Sequence, residues 1–174
     1  MHKDAEFISL NIAILTLSDS RTFENDTSGQ TLVDSLETAG HNLVARELCK
    51  DEIYTSRAIV SAWIAEPGID VIISTGGTGL TRRDSTPEAL KPLFDQNIEG
   101  FGELFRQLSY DEIGSSTVQS RALAGLANQT LVFCLPGSTG ACRTGWNRIL
   151  KEQLDSSHRP CNFAAQTRSG AKLT

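Results

Sequence analysis

The sequence predicts an α/β fold of three layers, a mainly parallel β-sheet held between two layers of helices. Three observations carry that expectation. Apolar runs recur at Asn11–Ser18, Asp70–Ser74 and Thr130–Leu135, nearly continuous rather than alternating, as strands covered on both faces require. Between them lie segments whose apolar residues repeat at helical spacing. Strands that alternate with helices are joined by right-handed crossovers, which run the strands parallel.

Each element has a local reason. Asn11–Ser18 is the first strand, and Asp26-Thr27-Ser28 then opens a helix with the stripe Leu32, Val33, Leu36 and Ala39, stopped by Gly40. His41–Leu48 reads as the second strand. Ile53, Ile59, Val60, Trp63 and Ile64 mark one face of a helix ended by Pro67-Gly68. After the strand Asp70–Ser74 comes a Gly/Thr loop, then a helix start. There Thr86 suits an N-cap and Pro87 the first turn, or Ser85 and Glu88 form a capping box. Ala89, Leu90, Leu93 and Phe94 give that helix its face. Phe101, Leu104, Phe105 and Leu108 repeat at i, i+3, i+4 and i+7 in the next. Trp146, Ile149, Leu150 and Leu154 mark a last helix after the strand Thr130–Leu135. Met1–Ser9 reads as a short arm and Ser156–Thr174 as a polar tail. With 174 residues, no repeat and no internal linker, the expectation is one domain over 1–174.

Composition narrows the function classes. The chain is 39% hydrophobic with 14 glycines, an ordinary globular balance. A net charge of −5 and scattered basic residues argue against a nucleic-acid face. Cys49, Cys134, Cys142 and Cys161 form no C-x-x-C pair, and His2, His41 and His158 lie at no ligand spacing, so reduced thiols and no zinc site are expected. No stretch approaches the ~18 apolar residues of a membrane span, and the N-terminus lacks a signal-peptide pattern. A cytoplasmic protein with no membrane partner is the expectation.

Ligands of such sheets gather outside the carboxyl ends of the strands. Four polar loops fall there: Ser18-Asp19-Ser20-Arg21, Cys49-Lys50-Asp51-Glu52, Thr75–Asp84 and Pro136–Gly140. The most informative is Thr75-Gly76-Gly77-Thr78-Gly79, whose glycines reach φ > 0 and let backbone N–H groups nest around an anion. It is neither a Walker A loop nor G-x-G-x-x-G. Asp84 follows it as a carboxylate that neither capping scheme employs. Asp51 stands where the second helix begins, and spacing alone leaves N-cap and ligand roles equally open. Ser18 and Asp19 fit either ligand contacts or an Asx-type turn. Pro136, Gly137 and Ser138 precede a helix N-terminus, where Ser138 can donate to an anion, cap the helix, or both. Arg82, Arg83, Arg121 and Arg143 read as solvated or interfacial, Trp63 and Trp146 as core, and Cys49 as packing without a base partner.

These residues carry a resemblance. Thr75-Gly76-Gly77-Thr78-Gly79, then Arg83-Asp84-x-Thr86-Pro87-Glu88-Ala89 and Leu135-Pro136-Gly137-Ser138, resemble the MoaB/Mog family of molybdenum cofactor biosynthesis. Ser18-Asp19 and Asp26-x-Ser28-Gly29 fit the same family. The similarity runs from about Asn11 to Leu154. Ala141-Cys142-Arg143-Thr144 and Arg159-Pro160-Cys161-Asn162-Phe163 are closer to the MoaB branch. Ser85 stands where the family usually carries Val. The resemblance implies an α/β domain that binds molybdopterin and, in catalytic members, adenylylates its phosphate with ATP and Mg²⁺. It places the catalytic, Mg-holding aspartates at Asp51 and Asp84. Phosphate contacts fall to Ser18, Asp19, Thr75, Gly76, Gly77, Thr78, Gly79, Pro136, Gly137 and Ser138. It implies a homo-oligomer, trimer or hexamer, with other molybdenum-cofactor enzymes as partners. A non-catalytic molybdopterin binder or scaffold is the alternative. Apolar surface around Phe101–Leu108, Pro160 and Phe163 is the expected oligomer contact.

Overall fold

The computed structural model describes residues 6–173. Met1–Ala5 of the expected arm and Thr174 of the tail lie outside them. The frame is one six-stranded mixed sheet. Its strands are β1 (Asn11–Leu17), β2 (Asn42–Cys49), β3 (Val71–Thr75), β4 (Gln96–Asn97), β5 (Leu123–Ala127) and β6 (Thr130–Leu135). Their order is β2-β1-β3-β6-β5-β4. β2, β1, β3 and β6 run parallel, while β5 runs antiparallel to β6 and to β4. The α/β class and the mainly parallel sheet are as the sequence predicts.

The helices are α1 (Thr27–Thr38), α2 (Ile53–Ala65), α3 (Thr86–Leu90), α4 (Glu99–Ile113), α5 (Thr139–Gly145) and α6 (Lys151–Gln153), with a π-helical turn Trp146–Leu150 joining the last two. Period-2 alternation along the strands splits the core into two layers. On one face Ile12, Ile14, Ile73 and Phe133 pack against Leu32 and Leu36 of α1, Phe101 and Phe105 of α4, and Trp146. On the other, Ala13, Leu15, Ile72 and Val132 meet Val60 of α2 and Ala89 and Leu90 of α3, with Trp63 partly buried against them.

Two strands, β4 and β5, go beyond the sequence reading. The β5–β6 hairpin turns at Asn128-Gln129, both at positive φ (49° and 63°), as a two-residue turn that follows strand twist requires. Gln at the second position conceals it, and Leu-Ala-Gly-Leu-Ala is a poor strand former. The stretch survives because small residues are needed there: a Cβ on Gly125 would lie 2.2 Å from the Phe94 ring.

The polar tail is not a loose appendage. Phe163 packs on Phe133, with ring centroids 5.9 Å apart. Arg168 donates to the carbonyls of Ile64, Glu66 and Ile69 at 3.0–3.2 Å, covering the open end of α2. The arm is stitched on as well, since Ile8 N–H donates to Ser156 Oγ and that hydroxyl donates to Glu6 O, each at 2.8 Å. The expected oligomer face also narrows. Phe101 and Phe105 are buried within the chain, while Leu104 of that face is 41% exposed and further exposed apolar residues follow at Tyr110, Ile113 and Val118.

Asp70, only 1% exposed, ties the tail to the sheet. Its carboxylate accepts from Asn11 N–H (3.0 Å), Ser169 N–H (2.9 Å) and Ser169 Oγ (2.7 Å). Asp70→Ala strands three donors and is expected to cost about 2–4 kcal/mol. Denaturant unfolding measures that loss, and limited proteolysis should then cut the tail first.

Candidate functional site

Because four parallel strands share one direction, their carboxyl ends and the following helix N-termini meet at one rim. Ser18 N–H donates to Cys49 O (2.9 Å), and Gly76 N–H to Leu135 O (3.0 Å), joining neighbouring loops as the strands end. Thr27 and Thr139, the first residues of α1 and α5, share a hydroxyl hydrogen bond of 3.0 Å. The rim therefore collects the positive ends of several helices.

The glycine loop is built by close approach. Gly76 has φ +111°, and a Cβ there would lie 2.1 Å from Leu17 O; Gly77 has φ +66°, and a Cβ would lie 2.4 Å from Thr86 Oγ1 and 2.7 Å from Asp51 Oδ1. Neither backbone conformation suits a side chain. Thr86 ties the loop's base, its N–H to Gly77 O (3.0 Å) and its hydroxyl to Gly76 O (2.8 Å). Thr86 is thus inside α3, not its cap. Ser85 holds the cap position without a side-chain bond, and its Oγ is buried without a partner. An apolar side chain would fill that place without the orphaned hydroxyl.

Not every predicted anion donor is free. Thr75 is fully buried and its hydroxyl donates to Pro136 O (3.0 Å), so it joins two loops. Gly76 N–H is taken by Leu135. Among the described residues, the amides of Gly77 and Thr78 make no hydrogen bond, and the nest contracts to them. Ser138 caps α5, accepting from Ala141 N–H at 3.1 Å, which leaves its own hydroxyl hydrogen free. Pro136 and Ser138 line a cleft of about 290 Å³ with Thr78, Gly79, Phe105 and Ser109. A cavity of similar size between α4 and Phe163 lies away from these loops.

The carboxylates differ in their employment. Glu52, not Asp51, caps α2, accepting from Tyr54 and Thr55 N–H at 3.2 and 2.6 Å. Asp51 is left half-buried beside Gly77, with Oδ1 buried and unpartnered among the described residues. Burial first, then the charges of Asp19 and Asp84, pushes its carboxyl up to about 6, against the pull of Arg83. Asp84 does have a local bond: Oδ2 accepts from Thr81 N–H at 2.8 Å. Burial opposes its ionisation, but the Thr81 hydroxyl, then the amides of Thr81 and Gly79 and the charge of Arg121, outweigh it and hold the carboxyl below its usual range. Asp19 is held low by hydrogen bonds from Arg83, at 2.7 and 2.8 Å, and accepts from Asp51 N–H at 3.2 Å. Ser18 makes the expected turn, its Oγ accepting from Ser20 and Arg21 N–H. Cys49 is buried, and burial pushes its thiol up to about 11, which accords with a packing role.

Sequence reasoning missed the arginines that shape this rim. Asp26, read as the α1 cap, also accepts from Thr16 Oγ1 (2.7 Å) and Arg46 (3.2 Å), its side chain fully buried. Beside it Arg21 bonds Ser28 and reaches Gly137 O at 3.2 Å. Arg121, expected to be solvated or interfacial, donates to Gly79 O (2.8 Å) and Asp84 O (3.0 Å) and pairs with Glu88. No local pattern marks these residues, because each acts on a segment 20 or more positions away.

An α/β sheet whose carboxyl-end rim gathers a glycine nest, helix N-termini and three neighbouring aspartates has its candidate ligand site there, as open parallel sheets do. The family model described as "Probable molybdopterin binding domain" matches residues 13–156. Molybdenum cofactor biosynthesis protein B of Escherichia coli K12 is 58% identical over 158 residues, covering 91% of this chain and 93% of that protein. The Bacillus subtilis protein of the same name is 42% identical over 154 residues, covering 88% and 91%. The tungsten cofactor synthesizing protein MoaB from Pyrococcus furiosus superposes with a TM-score of 0.74 at 37% identity, covering 83% and 92%. The chain belongs to the molybdopterin-binding-domain family of molybdenum cofactor biosynthesis proteins, in its MoaB branch.

The raised carboxyl of Asp51 has a stability consequence. A carboxylate whose folded pKa exceeds its unfolded value of 3.8 binds its proton more tightly in the fold, so ionisation costs stability as pH rises through 6. Asp51→Asn should therefore stabilise the chain at pH 8 by on the order of 1 kcal/mol after solvent screening, and by little near pH 4. Thermal unfolding across that range gives the test; an equal shift at both ends would refute it.

Proposed function

We propose that the chain binds molybdopterin at this rim and joins its phosphate to the adenylyl group of ATP, with Mg²⁺ as cofactor. The observation that carries this reading is Asp51, freed from capping by Glu52, with a buried unpartnered oxygen beside the glycine nest. Such a carboxylate is costly unless a cation or donor meets it. Among the described residues no three His, Cys, Asp or Glu side chains gather to cage a metal. Mg²⁺ needs no cage; it takes one or two carboxylates and fills its shell with waters and substrate phosphates, so Asp51 and Asp84 fit it. Bound there, it would neutralise charge on the transferring phosphoryl group.

The chain's own part is alignment. Gly77 and Thr78 N–H, at the loop's turn, would hold one phosphate, and Ser138 with the α5 N-terminus another. The cleft beside Thr78 and Gly79, floored by Phe105 and Pro136, would take the flat pterin. A phosphate monoester is largely dianionic at neutral pH, its second pKa near about 6, so its oxygen attacks without a general base. The new bond forms to the α-phosphorus of ATP. The bond from that phosphorus to the bridging oxygen breaks, and pyrophosphate leaves with the electron pair. No proton moves, which suits a site of acids and amides without histidine.

The test is pyrophosphate release from molybdopterin, ATP and Mg²⁺, with Asp84→Asn alongside. Turnover should fall about 10²–10³-fold while molybdopterin binds within about threefold of the parent. Unchanged turnover in the variant would sink the reading, and binding without release by the parent would favour a non-catalytic scaffold.

Self-association belongs to the same reading, a cytoplasmic homo-oligomer, trimer or hexamer, working beside other enzymes of the pathway. Tyr110, Ile113 and Val118 are 60%, 55% and 78% exposed at the end of α4 and the turn beyond it. Sedimentation at micromolar concentration should return an oligomeric mass, and a monomer would overturn it.

A further inference from the structure

We propose that Arg121 is a positioning residue of this site: it sets the glycine loop and Asp84 against each other and acts on the reaction through Asp84, without touching substrate. The inference rests on the adenylyl-transfer reading above. Its basis is the way one residue, just before β5, spans the segment between Thr78 and Glu88. Arg121 N–H donates to Thr78 O (2.9 Å), Nε to Gly79 O (2.8 Å), Nη2 to Asp84 O (3.0 Å), and Nη1 pairs with the Glu88 carboxylate.

Those bonds decide where the loop's other groups point. In a planar trans peptide the carbonyl of one residue and the N–H of the next face opposite ways. Drawing Thr78 O toward the main-chain N–H of Arg121 therefore turns Gly79 N–H away from it, and the Asp84 carboxylate packs so close to Gly79 that a Cβ there would lie 2.8 Å from its Oδ2. The same residue holds Asp84 by its own carbonyl. The Arg121 side chain thus holds both Gly79 and Asp84 by their carbonyls, while the bond to Thr78 comes from its main chain. The remaining bonds of the segment are internal, as between Thr81 and Asp84, or lie at its base, as at Thr86. Two other tethers exist: Arg83 to Asp19, where the Arg83 side chain is 60% exposed, and Arg57 to Glu88 O (2.9 Å) at the far end of the segment, within α3.

Arg121 is well placed for the task. Its side chain is 28% exposed, and Ala122 and Ala124 next to it are buried in the sheet core. A guanidinium presents several donors in a rigid plane and can serve two carbonyls and a carboxylate together; an ammonium cannot hold that geometry. Charge alone is therefore not the requirement, and lysine should be a poor substitute.

The experiment combines Arg121→Met and Arg121→Lys with Asp84→Asn, reading pyrophosphate release and amide hydrogen exchange in the full chain. Arg121→Met and Arg121→Lys should each lower kcat about 10- to 100-fold, since small misplacements cost that much. KM for molybdopterin should move less than about threefold. In the Asp84→Asn background the arginine substitutions should cost nothing further, because the group they position is already gone. Exchange at Gly79 and Thr81 should quicken at least about tenfold, with the amides of β1 and β3 unchanged. Equal losses in both backgrounds, or full activity in Arg121→Lys, would overturn the inference. If the parent releases no pyrophosphate, the reaction reading fails by itself. Exchange then decides the positioning role, and unaltered protection at Gly79 and Thr81 in Arg121→Met overturns it.

Discussion

The site depends on one steric constraint: β3 must turn across the ends of its neighbours at a distance that admits no side chain. A Cβ on Gly76 would lie 2.1 Å from Leu17 O, and one on Gly137 would lie 3.3 Å from the Gly76 Cα. Three parallel strands, β1, β3 and β6, end level with one another, as the pairs Thr16–Thr75 and Thr75–Leu135 record. With no room between them, the backbone itself becomes the surface that faces a ligand. A nest of amides follows from that crowding, and a loop with larger residues would have to stand off and lose it.

Keeping such a loop open requires that its carbonyls be occupied elsewhere; Thr86 takes those of Gly76 and Gly77, and arginines take others around the rim. Arg21 takes Gly137 O and Arg121 takes Gly79 O and Asp84 O. Side chains that might have served as phosphate clamps are instead committed to carbonyl oxygens, so the exposed backbone groups are donors. Arg21 also lies beside Asp26, itself bonded to Thr16 and Arg46, and burial of that carboxylate is outweighed by these donors, leaving it ionised and low. Buried pairs of this kind cost heavily when one partner is removed, whatever their net worth. The architecture fixes loops by polar contacts where a small sheet cannot supply apolar ones.

The sequence announced the fold where burial dictated pattern. β1, β3 and β6 are apolar because both faces are covered, and α1 and α4 show the stripes that meet Ile14 and Phe133. The β5–β6 hairpin stayed hidden because its signal is packing of small residues around Phe94 and a turn without glycine. The site was legible as four loops and their acids, but the division of labour within it was not. Whether Asp51 or Glu52 capped α2 turns on one residue of register. That Thr75 and the Gly76 amide are engaged, while the Gly77 amide is free, depends on the approach of β6. Arg121 could not be placed from sequence, since the partners of its side chain lie 33–42 residues away.

What separates a reaction site from a storage pocket here is a question of charge economy. A protein selected only to hold a dianionic ligand gains from donors and cations and loses from nearby carboxylates. This rim does the opposite, leaving Asp51 half-buried and facing the charges of Asp19 and Asp84, with its carboxyl raised to about 6 in consequence. Glu52 relieves it of the structural duty that would have justified its place. Two aspartates near an amide nest make sense when a divalent cation arrives with a second phosphate-bearing substrate, because only then is their repulsion of anions reversed in sign. On the proposed adenylyl-transfer reading, the unfavourable ionisation of Asp51 in the free chain is what an arriving cation would relieve, a common cost of keeping such a group ready.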